Sequence, residues 1–104
     1  MSRGPDAATL LERSLVAQAE SAGCAIAITR SDMVRWASAT FVGARHILTL
    51  SARGSPLLDA WLAGLRDAEF SLRGYLVAEL VVMGTIRDGG SVTATVEVLT
   101  VEDR

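Results

Sequence analysis

The chain has 104 residues, of which half are hydrophobic and 21% are charged, and its formal net charge at pH 7 is -2. This length fits a single domain over residues 1–104, and the composition is typical of a folded globular protein rather than a disordered one. Nucleic acid is not an expected partner, because the ten basic residues are spread along the chain and are outnumbered by twelve acidic residues.

One cysteine, Cys24, and one histidine, His46, limit the chemistry that the chain can perform. A single cysteine excludes an intramolecular disulfide, and these two residues with scattered carboxylates do not have the spacing of a zinc site. We therefore expect no metal and no other cofactor. The N-terminal residues MSRGPDAATLLER contain no apolar signal core, and no apolar run is long enough to span a bilayer. These features predict a soluble, cytoplasmic protein that does not bind membranes.

The first predicted element is a helix over residues 6–22. Asp6 follows a proline and can cap the helix, apolar residues recur at helical spacing, and Gly23 supplies a C-terminal stop. The alternation in CAIAITR then predicts a strand. The residues SDM are interpreted as a polar turn into a second, longer strand within VRWASATFVGARHILTLSA.

The second predicted helix has Ser55 as its cap and Pro56 at its first helical position, where the missing N–H of proline has no cost. Its apolar residues form a single stripe, as expected of a helix that packs on a sheet. The stripe consists of Leu58, Trp61, Leu62, Leu65 and Ala68.

The last third of the chain predicts two long strands joined by a three-residue loop, Asp88 to Gly90. The apolar pattern favours this loop length, because a two-residue loop would place apolar residues opposite polar ones. The resulting pairs are Ile86 with Val92, Val82 with Val96, and Leu80 with Val98. A loop of this kind has a left-handed residue at its last position, which predicts a positive φ at Gly90.

These elements predict an α+β fold, a two-layer sandwich of αββαββ order in which two helices cover one face of a four-stranded antiparallel sheet. The opposite face is then without a cover. Strict alternation places on it Phe41, Arg45, Ile47, Tyr75, Val77, Glu79, Val81, Met83, Thr93, Thr95, Glu97, Leu99 and Val101. So apolar a surface is typical of a face that a partner or ligand covers.

Two functions are compatible with this uncovered face. In the first, the protein is a non-catalytic module that forms a homodimer by packing sheet against sheet, since two-fold homo-oligomers are the commonest assemblies. In the alternative, the face contains a cleft of a small-molecule-binding protein or small enzyme, with Arg45, Glu79, Glu97 and Tyr75 as its polar groups. A simpler interpretation of the charges is that Arg45 and Glu97 only pair with each other.

His46 is the remaining candidate for a functional group. Its strand parity matches that of Val42, Ala44 and Leu48, so the ring is predicted to face the helix-covered core and to be neutral and hydrogen-bonded. A β-bulge at Gly43 would instead turn the ring into the candidate cleft. No sequence signature of a hydrolase, nucleotide-binding or phosphate-binding site surrounds His46, Cys24 or the carboxylates, so no catalytic residue is assigned.

Overall fold

The computed structural model describes residues 6–103. Two helices, α1 (Ala7–Ser21) and α2 (Pro56–Gly64), alternate with two pairs of strands, and α2 continues into a 3₁₀ turn at Leu65–Asp67. The strands are β1 (Ile26–Ala37), β2 (Val42–Arg53), β3 (Tyr75–Asp88) and β4 (Ser91–Glu102). They form one antiparallel sheet in the order β1-β2-β4-β3. The predicted α+β fold and its αββαββ order are confirmed.

Both helix starts and the end of α1 form where the sequence predicted them, whereas α2 ends at Gly64, before the predicted stripe residues Leu65 and Ala68. The Asp6 carboxylate accepts a 2.9 Å hydrogen bond from the Thr9 amide at the start of α1, and the Ser55 hydroxyl accepts from the Leu58 amide at the start of α2. Gly23 ends α1 with a φ of 86°, and the Cys24 amide then donates to the Ala19 carbonyl at 2.9 Å. This is the six-to-one hydrogen bond of a Schellman cap, which requires a left-handed residue and explains the glycine.

The core lies between the two helices and one face of the sheet, which we call the helix-covered face. Alternate residues of the central strands β2 and β4 point into it, and both helices direct their apolar stripes toward it. The buried members of the main cluster are Leu11, Leu15, Leu48, Leu50, Leu65, Leu72, Leu80, Ala94, Val96 and Val98. A smaller cluster joins the end of α1 to the start of α2 and consists of Ala19, Cys24, Leu58 and Val92.

The turn between β1 and β2 lies at Ser38–Phe41, so the predicted turn at SDM is wrong. β1 runs through these residues, and Asp32 pairs with Ile47 on β2. The real turn is closed by Ser38, whose amide donates to the Phe41 carbonyl at 2.8 Å and whose hydroxyl accepts from the Phe41 amide at 3.1 Å. Serine supports such local side-chain bonds. Phe41 therefore precedes β2 and is not a strand residue.

The β3–β4 hairpin has a two-residue loop, Gly89-Gly90, so the predicted three-residue loop is wrong. Gly89, not Gly90, has the positive φ, 61°, as in a type II′ turn. Near the loop Ile86 consequently pairs with Thr93. A register shift then makes Met83 an extra, bulged residue, and beyond it the predicted pairs are confirmed: Val82 with Val96 and Leu80 with Val98.

A second bulge in β3, at Ala78, corrects the placement of Tyr75 and Val77. Val77 pairs with the buried Thr100 on β4, and both Tyr75 and Val77 pack against the main core cluster. Strict alternation had placed these two residues on the uncovered face. One extra residue reverses the direction of every side chain beyond it, which is why the prediction is wrong.

Candidate functional site

The candidate site is the second face of the sheet, which we call the helix-free face. Directly paired residues of antiparallel strands lie on the same face, so the register gives its residues as rows across β1, β2, β4 and β3. The rows are Trp36, Gly43, Val101 and Leu76; Val34, Arg45, Leu99 and Glu79; Asp32, Ile47, Glu97 and Val81; Arg30, Thr49, Thr95 and Gly84; and Ala27, Ser51, Thr93 and Ile86.

The rows divide the helix-free face into two unlike parts. The first three rows contain most of the large apolar side chains and are called the apolar half; the other two, rich in threonine, serine and small residues, are called the hydroxyl half. Several apolar side chains are well exposed, with 69% for Val34, 55% for Leu76 and 42% for Val81. The large apolar side chains are therefore concentrated in one half of the face.

An ion pair occupies the middle of the apolar half. Arg45 Nε lies 3.9 Å from Glu97 Oε2, and the exposed fractions of the two side chains are 61% and 29%. The predicted Arg45–Glu97 pairing is thus present, but this separation is too long for a hydrogen bond. A guanidinium carries five N–H donors, so Arg45 keeps donors for a second acceptor. In water such a pair contributes only about 0–1 kcal/mol to stability.

The structure does not gather the other predicted cleft residues around this pair. Glu79 is in the same row as Arg45 but is separated from it by Leu99. Glu79 instead lines a groove of about 540 Å³ between β3 and α2, together with Arg66 and Asp67. Tyr75 lies on the opposite face of the sheet because of the bulge at Ala78.

His46 lies in the core, on the side that strand parity predicted. No register shift interrupts β2 at Gly43, and the side chain is completely buried. The ring Nε2 is 2.9 Å from Thr100 Oγ1, and this hydroxyl donates to the Ala44 carbonyl oxygen at 3.4 Å. The direction of the Nε2–Thr100 hydrogen bond is set by the ring tautomer, and donation by Nε2–H is compatible with a hydroxyl proton that points to Ala44. Among residues 6–103, Nδ1 has no hydrogen-bond partner.

Burial lowers the pKa of His46, and the negative charges of Asp6 and Glu12 on α1 oppose this effect only in part. Below pH of about 6.5 the unfolded chain therefore binds a proton that the folded protein does not bind. We expect the free energy of unfolding to fall as the pH is lowered through this window. His46→Gln should remove this part of the pH dependence. Urea unfolding of both proteins at pH 7.5 and 5.5 measures the difference.

An NMR titration of His46 provides the direct control. A ring that titrates below the ordinary pKa of about 6.5 supports the buried, neutral state. A pKa above 6.5 would contradict it, because the ring would then be stabilised as a cation by nearby carboxylates. An unfolding free energy that shows the same pH dependence in both proteins would contradict the predicted linkage.

Cys24 and His46 are too far apart to act together. His46 lies near Asp6 at the start of α1, whereas Cys24 follows the end of this helix, and 15 residues of helix span about 22 Å. Burial also raises the pKa of the Cys24 thiol, which keeps it protonated at neutral pH. Among residues 6–103, no three acidic, histidine or cysteine side chains are grouped to hold a metal ion.

Four large apolar residues of the helix-free face were missed by sequence reasoning: Val34, Trp36, Leu76 and, because of the two-residue loop, Ile86. The first two belong to the part of β1 that follows SDM, which alternates in VRWA but was not recognised as a continuation of the first strand. Leu76 is reversed by the same bulge that reverses Tyr75. The alternation of apolar and polar residues in VRWA could have indicated that the first strand continues. A strand can run through polar residues such as SDM as long as its partner strand continues beside it.

Neither the helix lengths nor comparison with known proteins indicates a function. Within residues 6–103, neither helix has both the length and the hydropathy that a membrane crossing requires. Comparison of the chain with protein-family models, with curated proteins and with solved structures finds no significant match to any of them.

Proposed function

We propose that this protein is a non-catalytic module that self-associates through its helix-free face. The observation that carries the proposal is the apolar half, to which all four strands contribute large side chains while both helices pack on the opposite face. Contiguous exposed apolar patches of more than a few hundred Å² are rare on monomeric soluble proteins. A second copy presents the same patch, so one two-fold axis would cover both.

The dimensions of the face are sufficient for a dimer. Four strands about 4.8 Å apart and five rows about 6.8 Å apart give roughly 650 Å² per copy, or about 1,300 Å² for two copies. Stable interfaces bury about 1,200–2,000 Å² in total. The apolar half alone would supply only about 800 Å², which is the size of a crystal contact. The hydroxyl half therefore contributes contact area as a polar rim.

The substitution Leu76→Glu tests the proposal. Leu76 is 55% exposed in the apolar half, so a carboxylate there is hydrated in the monomer but would be buried next to Glu79 in the dimer. The expected result is a dimer for the wild type and a species of 11.0 kDa for the variant, measured by sedimentation at micromolar concentration. A buried charge without a partner costs several kcal/mol.

Leu57→Glu is the matched control, since Leu57 is 54% exposed on α2, on the other side of the molecule. This variant should remain dimeric. A wild-type protein that sediments only as an 11.0 kDa species would contradict self-association. Dissociation of both variants would show that the added charge, rather than its position on the helix-free face, is responsible.

A second candidate function is small-molecule binding, favoured by the groove between α2 and β3. Its volume of about 540 Å³ is within the range of ligand pockets, and Arg66, Asp67 and Glu79 are its polar groups beside Leu62 and Leu80. An NMR screen with a fragment library tests this function. Amide shifts that cluster at Arg66 and Glu79, and that disappear in Glu79→Gln, would support it; shifts confined to the helix-free face would oppose it.

A further inference from the structure

We infer that the outer edge of β1 is a second self-association surface, on which the β1 strands of two copies pair antiparallel about a two-fold axis at Val34. The two four-stranded sheets then form one continuous sheet of eight strands. The contact is made by the strand edge and not by the helix-free face, so it goes beyond the proposed function. Only its effect on the apolar half rests on that function.

The two edges of the sheet differ in how regular they are. Register shifts at Ala78 and Met83 interrupt β3, whereas β1 has one shift, at Thr29, and then pairs regularly with β2 over residues 30–37. Residues 29–35 of β1 are all exposed, on both faces of the sheet. Proteins commonly use bulges or a covering element to stop an unused edge from pairing with another strand. Within the described part of the chain, the β1 edge has neither over residues 30–37, which favours a strand as its partner.

The backbone groups at this edge can be assigned from the turn between β1 and β2. The Ser38 amide donates to the Phe41 carbonyl at 2.8 Å, so Ser38 directs its backbone groups toward β2, and every second residue before it does the same. The N–H and C=O groups of the residues between them point away from β2, beyond the edge of the sheet. These residues are Ser31, Met33, Arg35 and Ala37. A second β1 strand in antiparallel orientation offers the same groups, so the edge is complementary to itself under two-fold symmetry.

Charged side chains restrict the position of the two-fold axis. Residues that point outward must pair with residues that point outward, so the axis passes beside one residue of β1, which lies opposite itself. An axis at Asp32 would pair two carboxylates, and an axis at Arg35 would pair two guanidinium groups. Like charges directly opposite each other destabilise a sheet. Axes nearer either end of β1 would shorten the regular ladder, which leaves Met33 and Val34.

The apolar half of the helix-free face selects Val34. Its three rows begin on β1 with Trp36, Val34 and Asp32. An axis at Val34 places Trp36 opposite the partner's Asp32, so that all three rows of one copy continue into those of the other. An axis at Met33 would instead join the row of Trp36 to that of Arg30, in the hydroxyl half. At the spacings of a sheet, the continuous stripe covers about 800 Å². This is the area that each partner contributes to a stable interface, and twice what the apolar half of one copy offers.

Helix α1 leaves room for this contact. It begins beside His46, which pairs with Met33, and it ends shortly before β1 begins at Ile26. The helix therefore runs above the first part of β1, between Met33 and Ile26. A two-fold axis at Val34 carries the partner's α1 to the opposite end of the seam. The two helices consequently do not overlap along it.

Disulfide trapping tests the pairing directly. With Cys24→Ser as the background, Val34→Cys places two thiols at a non-hydrogen-bonded pair whose Cα atoms are about 4.5 Å apart, which a disulfide can bridge. Mild oxidation should link most chains in pairs. Ile86→Cys is the matched control, because Ile86 is 70% exposed and Val34 is 69% exposed, both on the helix-free face, but Ile86 lies on the β3 edge. The control should cross-link about tenfold more slowly, since its thiols meet only by collision.

Two opposite charges at Met33 test the position of the axis. Met33 is 43% exposed and lies on the helix-covered face, so its substitution leaves the helix-free face unchanged. With the axis at Val34, Met33 is opposite the partner's Arg35. Met33→Glu should therefore strengthen the edge contact about fivefold, and Met33→Arg should weaken it by a similar factor. If both variants weakened the contact, the axis would lie at Met33 and the inferred position would be wrong.

Sedimentation over a range of concentrations measures the strength of the edge contact. A short ladder of strand hydrogen bonds exposed to water associates weakly by itself. Wild-type dimers formed through the helix-free face should therefore combine into tetramers only above micromolar concentration. Met33→Pro removes an outward N–H at an edge, where proline is tolerated, and should keep the dimer while abolishing the tetramer. A tetramer that persists in Met33→Pro would contradict pairing through β1.

The cross-linking rates separate this inference from the proposed function. Faster cross-linking of Val34→Cys than of Ile86→Cys should persist when Leu76→Glu has removed the contact through the helix-free face. A wild type that is monomeric at micromolar concentration, together with this preference, overturns the proposed function and supports the edge contact. A dimeric wild type whose two cysteine variants cross-link at equal rates overturns the edge contact and supports the proposed function.

Discussion

Replacement of Gly43 by alanine should lower the free energy of unfolding by about 3 kcal/mol. A Cβ at this position would lie 2.0 Å from the carbonyl oxygen of Thr100 and 2.7 Å from Cζ2 of Trp36. The carbonyl belongs to the neighbouring central strand β4, which is held by strands on both sides, so it cannot move away without disturbing the sheet. The indole ring is the softer of the two obstacles.

Urea unfolding at a fixed protein concentration measures this effect, with Gly64→Ala as the control. Gly64 ends α2, and a Cβ there would meet no atom within 4 Å. Alanine is favoured over glycine in helices, so the control should be neutral or more stable by up to about 1 kcal/mol. Equal unfolding midpoints for the two variants would show that the sheet yields at Gly43, contrary to the prediction.

Leu48→Ala should destabilise the protein by about 2–5 kcal/mol. Leu48 is completely buried at the middle of β2, where it pairs with Val96 and belongs to the main core cluster. The substitution removes apolar contacts and leaves a cavity that the surrounding strands can fill only in part. Calorimetry or urea unfolding detects the change as a lower midpoint.

Leu57→Ala is the matched control for Leu48→Ala, since the same atoms are deleted from a side chain that is 54% exposed on α2. Leu57→Ala should lower the free energy of unfolding by less than about 1 kcal/mol. If both variants lost the same stability, Leu48 would not be part of a tightly packed core. A change in the slope of the unfolding free energy against urea concentration would instead indicate an altered unfolded or native ensemble.

The accuracy of sequence reasoning differed between the central and the edge strands. β4 alternates without interruption, and the predicted faces of Thr93, Thr95, Glu97 and Leu99 are all confirmed. The register shifts are all on the edge strands, at Thr29 in β1 and at Ala78 and Met83 in β3. A strand with a neighbour on one side only can accommodate an extra residue, which a strand paired on both sides cannot do without disturbing two ladders.

The same distinction decides which site residues could be predicted. Arg45 and Glu97 are on the uninterrupted strands β2 and β4, so alternation correctly placed them on the same face. Tyr75 is on an edge strand beyond a bulge, and nothing in its local sequence marks that bulge. His46 is again on a central strand, so its burial was predictable; its Thr100 partner was not, because it depends on the register between strands far apart in the chain.

The bulges of β3 also affect aggregation. The stretch LVVMGTI, Leu80 to Ile86, is an edge segment with no charged residue and no proline, a composition that favours cross-β stacking. In the folded protein the bulges at Ala78 and Met83 interrupt the regular hydrogen-bonding edge that a further strand would need. That protection is lost on unfolding. Destabilised variants such as Gly43→Ala have a larger unfolded population. Their soluble yield should therefore fall by a larger fraction than their free energy of unfolding.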